Sequence, residues 1–259
     1  MKITVCVKQV PDTGTDRELR PGDSTVAREA ADGVINELDE FAIEEGLRLA
    51  EKHGGEVTIL SMGPERATES VRKALAMGAD RGVHVCDPAL HGSDALVTSA
   101  VLAAALFRDG FDLLLLGSES TDARTGMLAA MLAERLGVPQ LSFASRVEAD
   151  EELIRIRRLA DYGYDMVEAS LPAVVSVVEK INEPRYPSFK GIMAAKKKLV
   201  EVLTLADLGL TGAEAGLAGS ATEVTGFRKR PPRQAGTVTV DEGEGGIGAA
   251  DFLTARKFI

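Results

Sequence analysis

Only two cysteines and three histidines occur among the 259 residues, and each scarcity closes off a class of function. Cys6 and Cys86 each sit in a short β-branched run, so they supply neither a disulfide framework nor a metal-ligand spacing, and a reducing compartment fits. His53, His84 and His91 fall at a helix end, in a strand and in a loop. None lies beside a Ser or Cys nucleophile motif, which leaves them structural or solvated rather than part of a hydrolase triad. Basic charge is short as well: 30 Lys and Arg against 40 Asp and Glu give a net charge of -10. Nucleic acid, whose binding needs clustered cations to release counterions, is therefore excluded as a partner. No segment approaches the roughly 18 to 20 apolar residues of a membrane-spanning helix. The opening "MKITVCVKQV" has too short an apolar run before Lys8 for a signal peptide, so a cytoplasmic protein without membrane insertion is expected. Neither the Walker pattern nor a G-x-G-x-x-G after the first strand occurs, which rules out hydrolysis by a P-loop.

What is present is an alternation. Residues 2–7, 56–61, 82–86 and 111–116 are short β-branched or leucine-rich runs, the pattern of strands buried on both faces. Between them, 38–55, 65–80 and 92–110 carry apolar residues at helical spacing and end on glycines, and a fourth helix is expected from about Gly126 to Leu136. Strand and helix in turn predict a doubly wound, mainly parallel α/β sheet of the adenine-nucleotide-hydrolase-like or Rossmann-like kind. After Gly137, "QLSFASRVEADEELIRIRRLAD" and "MVEASLPAVVSVVEKI" alternate in the manner of antiparallel strands and predict an antiparallel extension of the sheet. The expected domain is 1–208, followed by a C-terminal arm, 209–259. The arm contains "RKRPPR" (228–233) and "DEGEGG" (241–246) and ends in an apolar stretch suited to docking.

In such a sheet, ligands sit at the carboxyl ends of the strands where strand order reverses, which directs attention to the loops after strands. The loop after the fourth strand, Gly117–Gly126, offers the hydroxyls of Ser118, Ser120, Thr121 and Thr125 and a helix N-terminus behind them. Two readings stand side by side: an anion site built on amides and the helix dipole, or simple caps for the helix. The second informative stretch is "NEPRYPSFKGIMAAKKKLVEV" (182–202). Pro184 and Pro187 stiffen it, and a short helix rich in Ala and Lys follows. Phe189 is either an anchor for another protein's pocket or, the commoner fate of a large apolar side chain, packed into its own domain. Lys196–Lys198 read as a solvated face. With no catalytic constellation, a protein that binds or carries is expected rather than one that converts.

These stretches together resemble the beta subunit of the electron transfer flavoproteins. The resemblance lies in "VKQVPDT" (7–13), "NELDEFAIEEGLRLAEK" (36–52), "SMGPERA" (61–67), "ALAMGADRGVHV" (74–85), "LLGSESTD" (115–122), "LPAVVSV" (171–177) and "NEPRYPSFKGIMAAKKK" (182–198). The "STD" loop and the "DEGEGG" near the C-terminus look most like the actinobacterial branch. The resemblance implies a heterodimer with an alpha subunit that holds most of the FAD. It implies electrons taken from acyl-CoA and related dehydrogenases, as in fatty acid beta-oxidation, and passed to a quinone oxidoreductase. It also implies a structural AMP in this chain, or a second FAD in electron-bifurcating members. A free-standing adenine-nucleotide sensor or hydrolase on the same fold is the alternative from another class.

Carried over by motif, the nucleotide site takes Cys6 and Val7 on the first strand, Asn36, Glu37, Leu38 and Asp39 at the first helix entrance, and Met62 after the second strand. It continues through Gly117, Ser118, Glu119, Ser120, Thr121, Asp122, Ala123, Arg124 and Thr125, with Gly126 opening the helix that faces the phosphate. The partner-binding segment takes Pro187, Phe189, Ile192 and Met193. Here the resemblance reverses the preference for burying Phe189, which stands where the family inserts an apolar residue into its dehydrogenases. The chain departs from the family at Tyr162 and Asp165, in a hairpin expected to meet the alpha subunit, and its 117–126 loop is shorter than in many relatives.

Overall fold

The computed structural model describes residues 1–229, 231–232, 236, 238 and 240–259. Arg230 and Arg233 of the "RKRPPR" stretch therefore lie outside the described residues. Two compact units are present, Met1–Val224 and Thr225–Ile259.

In chain order the first unit contains β1 (Lys2–Cys6), β2 (Gln9–Pro11), β3 (Gly33–Ile35), α1 (Glu37–His53), β4 (Glu56–Met62), α2 (Thr68–Met77), β5 (Arg81–Val85), α3 (Ala95–Asp109) and β6 (Leu113–Gly117). It continues with α4 (Leu128–Leu136), β7 (Gln140–Ala149), β8 (Leu153–Ala160), β9 (Gly163–Ser170), β10 (Ala173–Val177), α5 (Phe189–Ala195), β11 (Val200–Leu203) and α6 (Gly216–Gly219). A nine-stranded sheet has the order β11-β5-β4-β1-β6-β10-β7-β8-β9. All its pairings are parallel except β7–β8 and β8–β9. The doubly wound α/β sheet and its antiparallel extension are thus as expected. The apolar runs of β1, β4 and β6 bury both faces: Ile3, Val5, Ile59, Leu113 and Leu115 pack with α1 and α2, while Cys6, Leu60, Leu114 and Leu116 pack with α3 and α4.

Three details differ from the sequence expectation. "AVVSV" is not antiparallel: β10 returns to the middle of the parallel part, between β6 and β7, and is buried at every position. Polar β8 and β9 alternate instead, β8 between buried and exposed over its first half and β9 between half-buried and exposed, because only one face of the extension is covered. A small antiparallel pair, β2–β3, had no signal in the sequence, since each strand has only three residues and β2 ends in proline. Past Leu208 the chain still packs on the first unit: Ala215 is buried, and the amide of Gly216 donates to Ser93 Oγ at 3.0 Å. In the second unit, α7 (Gly245–Ala255) buries none of its residues, and Ile247, Phe252 and Leu253 stand exposed on it. Among the described residues no helix is long and apolar enough to cross a membrane.

Candidate functional site

Strand order reverses between β1 and β6. From β1 the sheet grows through β4 and β5, from β6 through β10 and β7, and α1 and α4 cover opposite faces. A crevice therefore opens outside the carboxyl ends of β1 and β6. Asp39, in the first turn of α1, bridges it: its carboxylate accepts from the amides of Lys8 (2.8 Å) and Gly117 (3.2 Å). Only glycine allows this approach, since a Cβ at 117 would lie 2.7 Å from Asp39 Oδ1 and 2.8 Å from the Leu38 carbonyl carbon. Burial pushes the Asp39 carboxyl up to about 7, against the pull of those hydrogen bonds.

Asn36 precedes α1 but does not cap it with its side chain. Its Nδ2 donates to Glu119 O and its Oδ1 accepts from the Thr121 amide, both at 3.0 Å, so the amide ties the two loops of the crevice together. Beside it, Asp122 accepts from Lys8 Nζ (2.7 Å) and Arg28 Nη2 (2.9 Å). Burial opposes ionisation of Asp122, but the two cations prevail and hold it down at about 2. Lys8 is itself lowered by burial, with Asp122 pulling it back. Neither Lys8 nor Arg28 is among the expected site residues. Lys8 carries a weak signal, a lysine directly after a buried strand. Arg28 carries none, because its partner lies 94 residues away.

The expected site residues divide by what remains available. Cys6 and Val7 are buried in the two core layers on opposite faces of the sheet, and burial, with the nearby Asp39 carboxylate, pushes the Cys6 thiol well above its ordinary range. Met62 is half-buried at the end of β4, Glu37 is exposed and Leu38 half-buried. Ser118, Glu119 and Ser120 are half-buried, whereas Ala123, Arg124, Thr125 and Gly126 are exposed. Gly126 does not open α4: its φ of +62° is left-handed, and the helix begins at Leu128. No side chain caps α4, so the loop's hydroxyls are not spent as caps and the first-turn amides lack an acceptor within the helix. Thr121 Oγ1 is buried without a hydrogen-bond partner. An uncapped helix start and an orphaned hydroxyl at one crevice offer free donors to an anion.

His84, by contrast, is fully used within the protein. It is buried, with Nδ1 3.0 Å from Thr68 Oγ1 and Nε2 3.1 Å from Gly63 O, and burial lowers its pKa.

The second expected site is an apolar face on α5. Ser188 caps the helix, its Oγ accepting from the Gly191 amide at 3.0 Å, so Phe189 is the first helical residue rather than part of a loop. Phe189 is 81% exposed, which overturns the residue-level expectation of burial. With Ile192 and Met193, also exposed, it forms one helix face at i, i+3 and i+4. Pro187 is half-buried, and Tyr186, absent from the expected set, is 95% exposed beside it. At the departing hairpin, Tyr162 Oη donates to Asp165 Oδ2 at 2.6 Å, so the two unusual residues pair with each other.

Fold and crevice define a class: a doubly wound α/β protein with an anion-suited crevice at its switch point. Comparison with known proteins narrows this. The electron transfer flavoprotein domain matches residues 23–208. The chain is 50% identical to the electron transfer flavoprotein subunit beta of Mycobacterium tuberculosis, over 99% of each chain. It is 37% identical to that of Thermoanaerobacterium thermosaccharolyticum over 92% of each. It is 35% identical to the caffeyl-CoA reductase-Etf complex subunit CarD of Acetobacterium woodii, over 91% of this chain and 90% of the relative. The chain belongs to the electron transfer flavoprotein family and is a beta subunit of the kind found in actinobacteria.

Proposed function

We propose that this chain pairs with an alpha subunit that holds most of one FAD, and that the heterodimer takes electrons from acyl-CoA and related dehydrogenases and passes them to a quinone oxidoreductase. FAD supplies the one-electron chemistry when bound, and no side chain of this chain makes or breaks a bond. What this chain contributes is position. The α5 face of Phe189, Ile192 and Met193 meets the dehydrogenase, and the exposed apolar residues of α7 in the C-terminal arm meet the alpha subunit. The observation that carries the docking role is the Phe189 face itself, a large apolar surface on a capped helix, which a protein without a partner has reason to bury.

In the crevice the proposed occupant is a structural AMP. Its phosphate would use the free amides at the start of α4 and the Thr121 hydroxyl, with Ser118, Ser120 and Thr125 within the same loop. Backbone at Cys6 and Val7, the Asn36–Asp39 turn and Met62 would line the rest. Two features favour AMP over a second FAD. No aromatic residue occurs among these positions to stack on an isoalloxazine, and the loop is pinned by Asn36 through Glu119 and Thr121 and by Asp122 through Lys8 and Arg28. The test is to release and count the nucleotides of the purified heterodimer. One AMP and one FAD are expected. Two FAD would replace this reading with the bifurcating one, and a colourless monomer that hydrolyses ATP would refute both.

A further inference from the structure

The segment before Phe189 is tied to α1 by one side chain. Arg185 donates from Nε to Glu44 Oε2 (2.7 Å) and from Nη2 to Glu44 Oε1 (3.1 Å), while Nη1 and Nη2 donate to the two oxygens of Glu51 at 2.6 and 3.2 Å. The backbone amide of Arg185 donates to Glu44 Oε2 as well, at 3.2 Å, so the main chain is fixed and not only the side chain. Three residues earlier, Asn182 Nδ2 donates to Phe41 O and Glu45 Oε2, both at 3.0 Å, on the same helix. The Glu44 side chain is only 4% exposed and also holds Arg48. A planar fork that satisfies two carboxylates at once cannot be reproduced by a lysine.

The far end of the segment is held separately, on α2. A Cβ at Gly191 would lie 2.4 Å from Ala76 O, so α5 rests directly on the α2 backbone. Arg72 Nη1 donates to Ala195 O and Lys198 O at 2.7 and 2.8 Å. Lys198 Nζ returns the favour to Leu75 O, Gly78 O and Ala79 O. Losing Arg185 would therefore leave α5 seated on α2 while freeing the stretch that leads into it, Tyr186 to Ser188, where the helix cap is set.

We propose that Arg185 is a positioning residue for partner docking: forked between Glu44 and Glu51 of α1, it holds the Tyr186–Phe189 approach in its docking geometry before a dehydrogenase arrives. The proposal rests on the reading of Phe189 as the docking residue. Its physical content is pre-organisation, because a segment already ordered loses less freedom when it binds. The effect belongs to association and not to the electron transfer that follows it.

The test uses the intact heterodimer as acceptor for an acyl-CoA dehydrogenase. Four proteins are compared: the parent, R185K, E51Q and F189A. E51Q alters a side chain that is 60% exposed and so spares the core even if R185K folds poorly. For R185K the KM for the carrier is expected to rise about tenfold at unchanged kcat and flavin content, the scale of losing charged hydrogen bonds that pre-order a binding segment. E51Q should shift KM in the same direction by less. Amide exchange at 186, 188 and 189 should be faster in both variants without any partner present. F189A raising KM while R185K and E51Q leave both KM and exchange at the parent values would overturn the proposal and keep the docking reading. F189A without effect would overturn the docking reading and the proposal with it.

Discussion

Asp122→Asn tests whether the crevice is locked by charge. The Asp122 side chain is 1% exposed, and the cations it holds, Lys8 and Arg28, are 36% and 32% exposed. Breaking a fully buried pair costs about 3 to 5 kcal/mol, and partial solvation of both cations brings the expected loss to about 2 kcal/mol. The lowered pKa gives the same scale, since a drop from 3.8 to about 2 is worth about 2.5 kcal/mol at about 1.4 kcal/mol per pH unit. That corresponds to an apparent melting point lower by roughly 4 to 8 °C for a chain of this size. The sign of the pH dependence is the sharper test. A carboxyl whose folded pKa is depressed contributes fully above its ordinary value near 3.8, and the contribution is lost as pH falls toward about 2. The gap between parent and Asp122→Asn should therefore be constant from neutral pH down to about 5 and close on further acidification. Thermal scans of the heterodimer with saturating nucleotide from pH 3 to 7 read this directly. A variant that melts with the parent at pH 7, or a gap that persists unchanged into acid, refutes the charge lock.

Asp39 should behave in the opposite sense. Its folded pKa is raised, so its favourable contribution is complete below pH 4 and is lost as pH rises through about 7; scans from pH 4 to 8 should show the parent losing stability relative to Asp39→Asn, and parallel curves would contradict this. Thr121→Val removes the orphaned hydroxyl at constant shape, so the nucleotide-free heterodimer should be at least as stable as the parent while nucleotide is retained less tightly, measured by dialysis and counting; unchanged retention would mean that the hydroxyl faces no ligand. Gly191→Ala should lift α5 from α2 and cost about 1 to 3 kcal/mol by overpacking, because the added Cβ would meet Ala76 O, a backbone atom that cannot turn aside; a melting point equal to the parent's would show that the helix can shift.

Much of the fold was legible because a strand buried on both faces reads as a short β-branched or leucine-rich run, and β1, β4, β5 and β6 are such runs, buried at nearly every position. The same rule applied to "AVVSV" would have placed β10 among the parallel strands; its neighbours' alternation drew it into the extension instead. Helix starts were less legible. At α3 the N-terminal signal was a true cap, with Asp94 accepting from the Val97 amide. At α4 the same residue types precede a helix that no side chain caps. The crevice was half legible. Its loop could be found from strand order, but which polar groups remain free depends on distant partners. Asn36 is consumed by residues 119 and 121, and Asp122 by Arg28, pairs that no local pattern reveals. For Phe189, residue type alone favoured burial. Its exposure follows from the seat of α5, since Gly191 and Ala195 face α2 and so turn the other side of the helix outward.

A single helix joins the two sites. At its first turn, α1 ties the ends of β1 and β6 through Asp39, and at Phe41, Glu44, Glu45 and Glu51 it ties the segment that presents Phe189. At about 1.5 Å per residue, the span from Asp39 to Glu51 is about 18 Å along the axis. Over that length α1 packs on β1, β4 and β6 through Ala42, Ile43 and Leu47, all buried, so sliding against the sheet would have to break that packing. The crevice and the exposed Phe189 face are therefore set in one frame. A carrier has reason for such a frame. In the proposed carrier role this chain makes no bond itself, so the distance and orientation at which partners meet are what it would control, and a helix pinned at both ends would control both. Glu44, the buried acid of α1 that forms ion pairs, fits this role, because a buried ion pair adds little net stability over an apolar pair while it ties its partners to one place.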